Sequence, residues 1–173
     1  MLRGAVPDGI LRSVSHPSLG KPPRSLDTGF PEAAARLRTE RSRLATRALE
    51  TAVAQDPTFR TRYDEAGLRG LLQDAEVFVD RLAMCVAGND PHWLKEFADM
   101  TAPAYRRKGV AMDDVVRLLE GIRAGARGVL SEAETAPADA AIDEAVTVFK
   151  WYRRLAGDAR KRNPILAALY KGG

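Results

Sequence analysis

Residues 67–90, GLRGLLQDAEVFVDRLAMCVAGND, decide how the rest of the chain is read. Leu68, Leu71, Leu72, Ala75, Val79, Leu82 and Val86 recur at helical spacing. They form one apolar stripe on a helix of about six turns. Gly88-Asn89-Asp90-Pro91 then stops the helix and starts another. That second helix is expected to run to about Lys108, with Leu94, Phe97, Ala98, Thr101 and Tyr105 inward and a kink near Pro103. Gly109 suits its C-terminal cap.

Working outward, the same texture holds on both sides. Pro31 opens an alanine-, leucine- and arginine-rich segment that reads as one helix over 31–55. Asp56-Pro57 breaks it, and a short helix is expected around 57–65. Downstream, Asp113 and Asp114 sit in the first turn of a helix expected over 112–134, with Val115, Leu118, Leu119, Ile122, Ala126 and Val129 inward. Gly121, Gly125 and Gly128 each weaken it by about 1 kcal/mol relative to alanine, so a neighbouring helix should approach closely along that face. A further helix is expected over 137–161, with Ile142, Ala145, Val146, Phe149, Tyr152 and Ala156 inward. No alternating strand pattern is present. The expected fold is all-α, with six or seven helices in one body spanning 31–162.

The two ends differ from this body. Residues 1–30 hold four prolines, four glycines and four serines and read as an extended arm. Their start lacks the uninterrupted apolar stretch of a secretory signal, and a cytoplasmic location is expected. Asn163 and Pro164 open a short helix, with Ile165, Leu166, Leu169 and Tyr170 on one side, preceded by Arg160, Lys161 and Arg162. A helix of about eight residues is not stable alone. The 163–173 segment must therefore dock, on its own body or in a partner's groove. The charge is uneven too: residues 1–30 carry +2, 150–173 carry +6, and the region between carries −4. Partner contact through Arg160, Lys161, Arg162, Ile165, Leu166, Leu169 and Tyr170 is the expectation these features support.

The 173-residue chain excludes several kinds of chemistry by composition. It has no run of about 20 apolar residues that would cross a bilayer. One cysteine, Cys85, permits neither an internal disulfide nor a cysteine-clustered metal site. His92 follows Pro91 in a first helical turn, whereas a proximal haem histidine sits inside a helix over an apolar pocket. The carboxylate pairs Asp64/Glu65, Asp113/Asp114 and Asp143/Glu144 are explained by helix starts or solvent faces. Catalysis and metal binding are not expected. Nor is nucleic-acid binding, because Phe149 and Tyr152 beside the basic end read as core.

The order of landmarks over 67–130 resembles the globin-like helical family shared by phycobiliproteins and the N-terminal domains of RsbR-type stressosome proteins. The residues that carry it are Asp74 and Glu76, Gly88-Asn89-Asp90, Tyr105, and Gly109-Val110 leading into the next helix. They cover about a third of the chain. Where phycobiliproteins carry the bilin cysteine this chain has Leu71, and the accompanying arginine is Gln73, so Asp74 alone remains as a cofactor-binding candidate. The resemblance implies a stand-alone globin-like module without a cofactor. It would dimerise or join a larger complex and bind a protein partner through its arm or tail, as a scaffold, assembly subunit or sensory module. The alternative it implies is a sensor holding a tetrapyrrole or lipid.

Overall fold

The structure, a computed structural model, describes the backbone of residues 29–162 and the side chains of residues 29–155. The expected arm up to residue 28, and the tail Asn163–Gly173 with Ile165, Leu166, Leu169 and Tyr170, lie outside the described residues. Within them the chain is all-helical. Seven helices follow in order: α1 (Pro31–Thr39), α2 (Arg41–Gln55), α3 (Phe59–Arg62), α4 (Glu65–Gly88), α5 (His92–Arg107), α6 (Met112–Ala126) and α7 (Glu132–Arg162).

The central helix forms where its stripe placed it. The Asp64 side chain caps α4 by accepting from the Gly67 amide at 2.8 Å. Asn89 ends it in the left-handed conformation at φ 47°. Leu71, Ala75, Phe78, Val79, Leu82, Cys85 and Val86 are buried. Around α4 the other helices close a ring of contacts: α1 and α2 pack on it, α2 packs on α6, α6 on α7, and α7 on α5. Phe78 stands at the centre, with edge contacts to Phe97 of α5 and Phe149 of α7 at centroid distances of 5.4 and 6.1 Å.

Five expected boundaries move. The segment 31–55 is two helices, because the chain turns at Glu40. This lets α1 lie along α4 while α2 reaches α6. The short helix expected at 57–65 shrinks to Phe59–Arg62, since Asp64 is already the cap of α4. The helix expected over 112–134 ends at Ala126, and the following helix begins at Glu132 rather than Pro137. Half of a capping box marks that start: Glu134 reaches back to accept from the Ser131 amide at 2.8 Å. Residues 29 and 30, read as part of the arm, belong to the body. The Phe30 amide donates to the Val86 carbonyl at 2.9 Å, and its ring packs on the core.

The glycine expectation holds at the helix interface. A Cβ on Gly121 would lie 2.8 Å from Ala48 Cα, and one on Gly125 would lie 2.8 Å from Leu44 Cδ2. These pairs run α2 and α6 antiparallel at close approach. Gly128 falls in the turn after α6 and takes no part. Gly109, at φ +73°, follows α5 as a cap residue.

Candidate functional site

Asp74, the cofactor-binding candidate, is half-buried on α4 and is hydrogen-bonded to the Tyr105 hydroxyl of α5. Burial raises the Asp74 carboxyl above its ordinary range, opposed by Tyr105 and by the charge of Lys108. The Tyr105 hydroxyl is itself shifted upward by burial and by Asp74. Two landmark residues of the resemblance therefore hold each other across the α4–α5 pair.

Cys85 is buried, and its sulfur accepts from the Leu94 amide at 3.3 Å. Burial pushes its thiol up to about 11, which suppresses the thiolate. His92 lies at the surface end of α5, with its imidazole 3.6 Å from Glu96 and beside Trp93. Among the described residues, no group of three His, Cys, Asp or Glu side chains is placed to hold a metal ion. Arg160, Lys161 and Arg162 close α7, and their side chains lie outside the described residues.

Sequence reading missed the most ordered polar cluster. Asp114 lies in the first turn of α6, as expected, but is 1% exposed rather than on a solvent face. It accepts from Arg62 Nε and Nη2 at 3.1 and 2.8 Å, from the Tyr63 hydroxyl at 2.7 Å, and from Arg117 Nη1 at 2.7 Å. Asp56 pairs with the same two arginines at 3.0 and 3.3 Å. Two guanidiniums thus face two carboxylates, and the cluster is neutral. The Tyr63 hydroxyl also accepts from the Ala111 amide at 3.1 Å. Burial pushes Tyr63 up to about 12. Hydrogen bonds from Thr58 and then Arg62 hold the Asp56 carboxyl down to about 2. This cluster fastens α3 to the start of α6, and its charges are spent on one another. The i,i+3 spacing of Asp114 and Arg117 was visible in sequence, but the partners 51 and 52 residues upstream were not.

Four large apolar side chains face outward. Trp93 and Met100 stand on α5 at 37% and 64% exposure, two turns apart. Trp151 and Leu155 stand on α7 at 49% and 39%, one turn apart. An open groove of about 440 Å³ runs beside α2 and α4, lined by Leu49, Val53, Ala54 and Leu68 together with Glu50 and Arg60. Large exposed apolar side chains on otherwise charged helix surfaces suit contact with another macromolecule. Among the described residues, no helix is long and apolar enough to cross a membrane. Compared with known proteins, the chain matches no family model and no curated protein.

Proposed function

We propose that the protein is a non-enzymatic, globin-like helical interaction module that works without a cofactor. It serves as a scaffold, assembly subunit or sensory module, as a dimer or within a larger complex. The observation that carries this reading is the outward placement of Trp93, Met100, Trp151 and Leu155, while Asp114 and Cys85 are engaged inside the body. Such side chains, already about half covered, gain about 1 kcal/mol each when a partner covers the rest. The globin-like assignment is supported by the order of its landmarks. Long α4, the Asn89 stop, α5 ending beside Tyr105, and the Gly109-Val110 passage into α6 follow one another as in the resembling families.

Partner capture tests the reading. Wild-type chain and a Trp93→Glu/Met100→Glu variant, immobilised side by side, are exposed to native extract. The reading predicts that specific proteins are retained by the wild type and lost from the variant at unchanged thermal stability. Identical retention by both would contradict it. Absorbance and native mass spectrometry of the purified protein check the cofactor part: a colourless chain of unmodified mass is expected, and a bound tetrapyrrole or lipid would favour the sensor reading instead.

A further inference from the structure

The outward face of α7 carries two gradients that run along the same helix. Ala133, Ala136 and Ala140 are exposed in its first half, and Trp151 and Leu155 in its second, with Thr147 between them. These positions are spaced three, four or seven residues apart and so form one stripe. Small side chains occupy one end of it and large ones the other. Charge follows the same order. Residues 132–146 hold five acids and no base, whereas 148–162 hold six bases and one acid, and Thr147 is the midpoint of the helix.

Helix electrostatics do not account for this. The macrodipole acts within the first and last turns, yet Asp139, Asp143 and Glu144 lie well inside the helix, as do Lys150, Arg153 and Arg154. Part of the charge is used within the body. Asp139 and Asp143 meet Arg123, and Arg153 meets Asp113 at 2.6 Å. Glu144, Lys150 and Arg154 make no ion pair among the described residues.

We propose that α7 pairs with α7 of a second copy of this chain, antiparallel, about a two-fold axis at Thr147. The inference deepens the interaction-module reading and rests on it. Under this symmetry Lys150 of each chain faces Glu144 of the other. Leu155 of each chain comes opposite the partner's position 139, over Ala136 and Ala140, and Trp151 opposite position 143, between Ala140 and Thr147, large on small. A parallel pair would instead set acid on acid and base on base, which fixes the orientation. Exposed ion pairs contribute little affinity, so the tryptophan and leucine supply the affinity and the charges supply the register.

The test uses the full chain. Thr147→Cys places a thiol on the axis, and Cys85 is buried and does not compete. Mild oxidation should link two copies through Thr147→Cys but not through Ala133→Cys. In sedimentation velocity, Trp151→Glu should weaken self-association about tenfold or more. Glu144→Lys and Lys150→Glu should each weaken it, and the double variant should restore it. Equal linking at both positions, indifference to Trp151→Glu, or no rescue in the double variant would overturn the pairing. A chain that stays single yet still captures a partner through Trp93 and Met100 would overturn the pairing and leave the module reading intact.

Discussion

At position 114 a carboxylate is withdrawn from solvent and given three side-chain donors: Arg62, Tyr63 and Arg117. A charge so placed is tolerated because its partners are complete. Asp114→Ala leaves the two arginines with Asp56 alone and should cost about 3 kcal/mol in urea unfolding. A loss below about 1 kcal/mol would mean that the cluster is not a fastening. Tyr63→Phe removes two hydrogen bonds at once and should cost about 1–2 kcal/mol. Asp56 adds a dependence on acid. Its folded carboxyl titrates near about 2 against an ordinary value of 3.8, so its contribution is complete above 3.8 and is lost as pH falls toward 2. Thermal midpoints should fall through that window in the wild type and fall less in Asp56→Asn. Cys85 has the opposite sign. Its raised thiol contributes fully below pH 9 and loses that contribution as pH climbs toward about 11. The native thiol should resist a thiol reagent at pH 8 and react on unfolding; rapid native labelling would contradict its burial.

Helices were legible where periodicity and caps agree, and less so where tertiary contact decides. The α4 stripe, the Asn89 stop and the Gly109 cap all stand in the sequence, and the structure follows them. The turn at Glu40 does not, because ARLRTERSRLA is unbroken helix-forming sequence. What bends it is the pull of α4 on one side and α6 on the other. The start of α7 was legible but misread: Glu134 accepts from the Ser131 amide at the true start, whereas the expected helix began at Pro137. Asp114 shows the same limit for the polar cluster, since its burial depends on α3 arriving from far upstream. The close approach at Gly121 was readable as a glycine face, though its partner Ala48 was not. Two glycine variants separate packing from propensity. Gly121→Ala drives a Cβ into Ala48 and should destabilise by about 1–3 kcal/mol despite the better helix former. Gly70→Ala, with open space around it in α4, should stabilise by about 0.5–1 kcal/mol. Equal effects at the two sites would contradict the α2–α6 contact.

As a whole, the molecule joins a closed interior to an apolar outer face on α5 and α7. Of the first part, the sequence shows one cysteine and two histidines, and Cys85 is buried. On α7 the second follows from the inward set Ile142, Ala145, Val146 and Phe149, all buried, which leaves Trp151 and Leu155 on the outer side. The basic end of the sequence also takes on a shape, as the second half of a helix whose first half is acidic. The most direct test of the account is the mass of the full native chain by light scattering across concentration. The account predicts a particle of twice 18.9 kDa that dissociates on dilution, with Trp151→Glu shifted to the single-chain mass at the same concentrations. A single-chain mass for the wild type throughout, or a double mass unmoved by Trp151→Glu, would contradict it.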